Sequence, residues 1–223
     1  MTYATINPFT GELIKEFPNA TDAEVTEAIE SAHQAFLSWR NTSFANKAEI
    51  LNRAAALLRD SKRRYAELLT LEMGKVIGEA EAEVELSAQI LEYYAEHAER
   101  LLAPQKLPVA DPAEGEALLV NEPLGVLLAI EPWNFPYYQL MRVLAPNLAA
   151  GNPVIAKHAS IVPHCAETFA HLVREAGAPE GAWTNLFISS EQVANIIADD
   201  RVQGAALTGS EKAGSVVAAQ AAK

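Results

Sequence analysis

Cysteine is almost absent from the sequence, because Cys165 is the only one among 223 residues. An intrachain disulfide is therefore excluded, and a lone thiol is typical of proteins kept in a reducing compartment. Basic residues are also scarce, with 17 lysines and arginines against 29 acidic residues and a formal net charge of −12. Such a surface repels phosphate backbones, which argues against general nucleic-acid binding.

Long apolar runs are missing as well. Proline, glycine or charge interrupts every apolar stretch before it reaches the length that spans a bilayer. The first 17 residues contain no basic start followed by an apolar run, so no signal peptide is expected. These absences predict a soluble cytoplasmic protein. Half of the residues are nevertheless apolar, which is enough to bury a substantial core.

The first half of the chain predicts a hairpin followed by helices. Residues 5–17 contain turn-forming Asn-Pro and Thr-Gly pairs between apolar residues, which is typical of two short strands. Four amphipathic helices then form an N-terminal layer up to residue 103, the first beginning at Thr21. The proline-rich segment 104–124 is predicted to be extended, with a strand from Glu116.

From residue 125 onward, short apolar strands alternate with helices. The predicted strands are Val126–Ile130, Val154–Ala156, Thr184–Ile188 and Gly204–Leu207. This alternation predicts an α/β domain with a parallel sheet that is covered by helices on both faces. Ligands of such sheets bind at the carboxyl ends of the strands, so three segments become candidate sites.

The first candidate segment is Glu131–Pro136. Its two prolines fix the backbone on either side of Trp133 and Asn134. A rigid backbone would hold the Asn134 amide in place as a hydrogen-bond donor. The alternative is that Asn134 simply caps the helix that follows.

The other two segments carry a lysine and a glycine–serine pair. Lys157 follows the second strand, where it can reach nucleotide hydroxyls or phosphates or remain a solvated loop residue. His158 has the same ambiguity, and no spacing with other ligands predicts a metal site. Gly209 and Ser210 can present a hydroxyl and N–H groups to a phosphate, although Ser210 is equally suited to an ordinary helix cap.

In this order and spacing, the segments resemble the aldehyde dehydrogenase superfamily. The motifs are NPFTG at 7–11, EMGK at 72–75, PWNFP at 132–136, LAAGN at 148–152 and TGS at 208–210. The residues after PWNFP, with Arg142 and Lys157-His158, are most similar to the bacterial succinate-semialdehyde dehydrogenase branch. The resemblance covers the whole chain as the N-terminal portion of such an enzyme.

The resemblance implies a Rossmann-like NAD(P)-binding domain and an oligomerisation strand within 104–124. It also implies an enzyme that forms homo-oligomers and oxidises an aldehyde such as succinate semialdehyde to its acid, through a thiohemiacetal and hydride transfer. Asn134 would donate to the oxyanion, and Arg142 would bind the substrate carboxylate unless it is only a surface residue. The implied cofactor-binding residues are Ile130, Pro132, Trp133, Asn134, Lys157, His158, Ala159, Ser160, Gly209 and Ser210.

Two departures from the family pattern bear on the site. Ser160 stands where relatives that prefer NAD often carry a glutamate, which would repel a 2′-phosphate. With added positive character from Lys157 and His158, this predicts NADP as the cofactor, or acceptance of both NADP and NAD. Val143 stands where a lysine is frequent, which leaves the geometry of that part of the site open.

The catalytic nucleophile and base of the family are not matched by any segment of the sequence. Cys165 lies on a helix expected to pack against the sheet, so we expect a buried, inert thiol. The family's cysteine and glutamate are expected beyond Lys223, and the catalytic domain with them, so the chain alone is predicted to be inactive. The alternative is a non-catalytic dinucleotide-binding module that acts through partners.

Overall fold

The fold is described by a computed structural model that covers residues 2–111, 113 and 115–223. Met1, and Pro112 and Glu114 of the 104–124 segment, lie outside the described residues. The predicted N-terminal hairpin is present, with β1 (Tyr3–Ile6) antiparallel to β2 (Leu13–Phe17). A second antiparallel pair joins β3 (Gln105–Leu107) to β4 (Ala117–Leu119), and of these two the sequence predicted only β4 as a strand.

Four helices occupy the region between the two hairpins. They are α1 (Asp22–Trp39), α2 (Phe44–Asp60), α3 (Lys62–Met73) and α4 (Ile77–Leu101). The predicted cap is confirmed, because Thr21 and Glu24 form a capping box at the start of α1. The N-terminal helical layer consists of α2–α4. Helix α1 leaves it and covers the sheet, because its apolar stripe packs against strand residues.

The central sheet has four parallel strands in the order β7-β6-β5-β8. They are β5 (Val126–Ile130), β6 (Val154–Lys157), β7 (Trp183–Asn185) and β8 (Val202–Leu207). The helices between and after them are α5 (Pro136–Ala150), α6 (Pro163–Glu175), α7 (Ser190–Ile197) and α8 (Glu211–Ala221). The chain moves outward from β5 in one direction and returns to its other side with β8, which creates a switch point where ligands bind.

Both faces of the sheet are buried, as predicted. Val126 and Leu128 of β5 pack in a cluster with α1 and α7, whereas the alternating Leu127 and Ala129 pack in a larger cluster with α2–α6. This alternation follows from the strand geometry, because successive side chains point to opposite faces. Among the described residues, no helix is both long and apolar enough to cross a membrane.

Gly181 marks a tight contact between α1 and the turn before β7. Its φ is +80°, and an added Cβ would lie 2.3 Å from the Ser31 carbonyl oxygen. We expect Gly181→Ala to lower the free energy of unfolding by more than the roughly 1–2 kcal/mol that left-handed backbone costs an alanine. Gly11→Ala is the matched control, because Gly11 has φ +73° and open space around its Cβ position. Equal losses in urea denaturation would contradict the steric explanation.

Candidate functional site

A cavity of about 410 Å³ lies at the switch point of the sheet, between the strand ends and helices α7 and α8. Three residues that the sequence singled out for a cofactor, Ile130, Lys157 and Ser210, line it together. The other lining residues are Ser190, Val193, Leu207, Lys212, Ala213, Val216, Val217 and Gln220. Two lysines and no carboxylate are among them, so the cavity suits an anionic ligand with an apolar part.

Lys157 is the last residue of β6 and contributes a partly buried ammonium group. Its Nζ lies 3.5 Å from the His158 carbonyl oxygen and 5.6 Å from the centroid of the Tyr3 ring. Burial lowers the pKa of Lys157, and no carboxylate of the described residues forms an ion pair with it. A cation without a carboxylate partner at a strand end leaves positive potential for a ligand phosphate.

Ser210 caps α8, since its Oγ accepts a hydrogen bond from the backbone N–H of Ala213 at 3.3 Å. The simple cap considered from the sequence is therefore present. The cap uses only the acceptor capacity of the hydroxyl, so the hydroxyl hydrogen remains free to donate to a ligand. Gly209, which precedes it, is exposed and is not one of the residues that line the cavity.

Helix α8 supplies a wall of the cavity that the sequence analysis missed. Positions 213, 216, 217 and 220 line the cavity at helical spacing, and Val216 is exposed. No residue of α8 is fully buried, and Ala213, Val217 and Gln220 on this face are half-buried. Periodicity was the available signal, but from sequence such a face is assigned to the protein core.

Asn134 lies in the loop between β5 and α5, and its side chain is exposed. Phe135 is the cap residue of α5, and its own side chain makes no cap hydrogen bond. The alternative that Asn134 caps the helix is therefore wrong. Its side chain has no hydrogen-bond partner among the described residues, so the amide is free to donate to a ligand. Trp133 beside it is also exposed, with 49% of its surface accessible.

His158 corrects one expectation about charge. The ring is buried, with Nε2 3.1 Å from the Pro136 carbonyl oxygen and Nδ1 2.9 Å from the Ala159 backbone nitrogen. A neutral ring that donates from Nε2 and accepts at Nδ1 satisfies these two contacts, and the Glu131 carbonyl oxygen lies farther from Nδ1, at 3.2 Å. Burial lowers the pKa of His158 to about 4. The expectation that His158 adds positive charge is wrong, because its ring supports the backbone around Pro136 instead.

Glu131 is a second group whose environment the sequence did not reveal. Its carboxyl is buried, and neither oxygen has a hydrogen bond of ordinary geometry among the described residues. Desolvation raises the pKa of Glu131 to about 7, although the nearby Thr208 hydroxyl and Arg142 guanidinium favour its charged form. A protonatable carboxyl therefore stands at the end of the strand that leads into the Asn134 loop.

Arg142 is exposed on α5 and is not among the residues that line the cofactor cavity. It lines a separate open groove of about 680 Å³ together with tyrosines of α4 and α5, namely Tyr93, Tyr94 and Tyr138. Its Nη1 lies 3.2 Å from the Gln139 Oε1, and no carboxylate of the described residues pairs with it. The guanidinium thus remains available to a carboxylate ligand. Pro132, Ala159 and Ser160 also lie outside the residues that line the cofactor cavity.

Cys165 is fully buried, as predicted. Its backbone N–H donates to the Glu72 carboxylate at 2.7 Å, and Glu72 also accepts from the Thr5 hydroxyl at 2.6 Å. Burial raises the pKa of the thiol, so the reactive thiolate is disfavoured. The EMGK motif therefore contributes a buried carboxylate that joins the N-terminal hairpin to α6, and Cys165 is unsuited to act as a nucleophile.

Comparison with known proteins adds independent information. The chain is 46% identical over 216 residues to the succinate-semialdehyde dehydrogenase [NADP(+)] of Deinococcus radiodurans. It is 47% identical over 219 residues to succinate-semialdehyde dehydrogenase [NADP(+)] 1 of Mycobacterium tuberculosis. These alignments cover 97% and 98% of the chain but 45% and 48% of the relatives, so the chain spans about half their length.

Solved structures agree with the sequence relatives. The structure of succinic semialdehyde dehydrogenase from Streptococcus pyogenes in complex with NADP+ superposes with a TM-score of 0.95 at 45% identity, covering 99% of this chain and 48% of that one. The structure of Gox0499 gives a TM-score of 0.97 at 47% identity, covering 100% and 48%. The family model described as "Aldehyde dehydrogenase family" matches residues 1–223. The chain therefore belongs to the aldehyde dehydrogenase family.

Proposed function

We propose that the chain is the cofactor-binding portion of an NADP-dependent aldehyde dehydrogenase that acts on succinate semialdehyde or a similar aldehyde. The observation that carries this proposal is the cavity at the switch point, where Lys157 and Ser210 meet and no carboxylate lines the wall. The names of the relatives support the cofactor and the substrate class.

In this proposal, residues that line the cavity and neighbouring residues of the strand-end loops contact different parts of the cofactor. Lys157 holds the adenosine ribose and its 2′-phosphate, with Ser160 leaving room for that phosphate. Ser210 and Gly209 contact the pyrophosphate at the start of α8, where free N–H groups favour an anion. The apolar side chains of α7 and α8, Val193 and Val216 among them, flank the adenine. Ile130, Pro132 and Trp133 line the nicotinamide side.

When bound, NADP supplies the acceptor for the hydride that leaves the substrate carbon. Asn134 donates its amide hydrogen to the substrate oxygen, where negative charge develops after a thiolate attacks the aldehyde. Arg142 binds the distal carboxylate of the substrate through its planar donor pair. The thiolate and the base come from residues outside the described site, so we propose that the 223-residue chain alone does not turn over substrate.

Cofactor binding can be tested on this chain by calorimetry. Lys157→Met keeps the apolar stem of the side chain and removes its charge. We expect it to weaken NADP binding by about tenfold or more, the scale of one hydrogen bond to a charged group. Lys106→Met is the control, because Lys106 lies on the exposed strand β3 and pairs with Glu116 at 2.8 Å. Unchanged NADP affinity in Lys157→Met would contradict the proposed ribose site.

The same measurement tests the choice of cofactor. Ser160→Glu introduces a carboxylate beside the proposed 2′-phosphate position, so it should weaken NADP binding much more than NAD binding. If the unmodified chain bound NAD far more tightly than NADP, the preference inferred from Ser160 would be wrong.

A further inference from the structure

A buried ion pair lies beneath the loop that carries Asn134. Lys75, in the turn between α3 and α4, pairs with Glu83 of α4, and their side chains are only 7% and 0% exposed. Charges removed from water this completely are costly unless additional hydrogen bonds satisfy both partners. The partners of those additional hydrogen bonds therefore indicate which part of the chain the ion pair holds in place.

All of these additional bonds go to the backbone next to Asn134. The Glu83 carboxylate accepts from the backbone N–H groups of Tyr137 at 2.9 Å and Tyr138 at 3.2 Å, in the first turn of α5. The Lys75 Nζ donates to the Asn134 carbonyl oxygen at 3.1 Å and lies 3.6 Å from the centroid of the Phe135 ring. The pair thus holds the loop at Asn134 and again at the start of the helix.

The position of the Asn134 amide depends on this backbone. Its side chain has no hydrogen-bond partner among the described residues, so no other side chain orients it. A donor that stabilises developing charge must be placed within a fraction of an ångström of its working position. Any displacement of the 134–138 backbone is therefore transmitted directly to the amide.

We propose that Lys75 and Glu83 are positioning residues for aldehyde oxidation, holding the backbone of residues 134–138 so that the Asn134 amide meets the developing oxyanion. This inference rests on the proposed function of Asn134. According to this inference, the lysine of the EMGK motif and an acidic residue of α4 influence the rate of the chemical step, although neither touches the substrate.

The test uses the complete enzyme, meaning a polypeptide that also carries the nucleophile and the base. Lys75→Met preserves the apolar stem and removes the ammonium group. We expect kcat to fall by about tenfold or more with little change in KM, because the donor is displaced rather than the substrate site. Lys75→Arg should restore part of the loss. The double variant Lys75→Met/Glu83→Leu leaves no unpaired buried charge, so it provides a folded alternative if the single variant unfolds.

A double-mutant cycle with Asn134→Ala separates positioning from general damage. If Lys75 acts through Asn134, Lys75→Met should cause little further loss of kcat once the amide is gone. A full additional loss in that background would overturn the proposal. Lys62→Met is the matched control, because Lys62 also bridges α3 and α4, pairing with Glu85 at 3.3 Å near the surface. Its kcat should be unchanged.

Hydrogen exchange on the 223-residue chain separates the positioning role of the ion pair from the proposed function of Asn134. Glu83→Leu should accelerate exchange of the Tyr137 and Tyr138 amides, because their acceptor is removed. Unchanged protection of these amides would overturn the positioning role. If the amides exchange faster but Asn134→Ala leaves kcat unaltered, the proposed function of Asn134 fails, and the catalytic role of the ion pair fails with it.

Discussion

Replacing Asn134 by alanine in the complete enzyme should lower kcat by about 100- to 1000-fold, the loss typical of removing one oxyanion donor. The structure leaves the amide free for this role, because its side chain has no partner among the described residues to compete with a ligand. Affinity for NADP should change little, since the cavity residues at Lys157 and Ser210 remain. Steady-state production of NADPH from succinate semialdehyde measures both quantities.

Asn134→Asp provides the matched control for shape. It preserves the size of the side chain but replaces a donor with a negatively charged acceptor, so kcat should fall at least as far as in the alanine variant. Wild-type kcat in either variant would disprove the donor role. The 223-residue chain alone should give no change in NADPH absorbance, and turnover by it would contradict the proposal that nucleophile and base come from elsewhere.

Glu131→Gln should make the chain more stable than the wild type at pH 8 by about 3 kcal/mol, because the wild-type carboxyl must ionise at a buried site at that pH. The pKa of Glu131 is raised from 4.5 to about 7 by burial. Because the folded state binds this proton more tightly, its contribution to stability is complete below pH 4.5. That contribution is lost as the pH rises from 4.5 through 7, where the buried group must ionise.

Urea denaturation between about pH 5 and pH 8 measures the difference in the free energy of unfolding between the variant and the wild type. This range spans the Glu131 pKa of about 7. The two proteins should differ least at the acidic end and most at the alkaline end. His158 acts in the opposite direction, because its pKa of about 4 makes stability fall as the pH drops below 6.5. That effect is common to both proteins and cancels in the comparison. Glu211→Gln, at an exposed site on α8, is the control for the loss of one surface carboxylate.

Local features of the chain were predictable because they depend on neighbours in sequence. The spacing of apolar residues predicted the helices and the strands of the central sheet, and strand β5 was predicted with its observed bounds. A threonine or aspartate cap at Thr21-Asp22 was predicted from side-chain chemistry, and Thr21 is the residue that provides it. Strand β3 was missed because three exposed residues in a proline-rich segment carry no alternation to detect.

The site was predictable only in part, for a related reason. Lys157 and Ser210 were identified because parallel strands bring their carboxyl ends to one edge, whatever the distance along the chain. No comparable rule predicts from sequence what a buried charged residue contacts. From the sequence, His158 was expected to be positively charged, and nothing distinguished Lys75 and Glu83 from other polar residues. Their contacts with the backbone at residues 134–138 became visible only in the structure.

The sequence by itself determined the class of fold, the family and the chemistry that the strand-end residues can perform. Periodicity and side-chain chemistry are local properties, and a motif retains its spacing before the chain folds. Only the tertiary structure decided which of those residues meet in one cavity and that Asn134 does not cap its helix. Only the folded chain could show that His158 is neutral and that burial raises the pKa of Glu131 to about 7, because desolvation depends on everything that packs around a group.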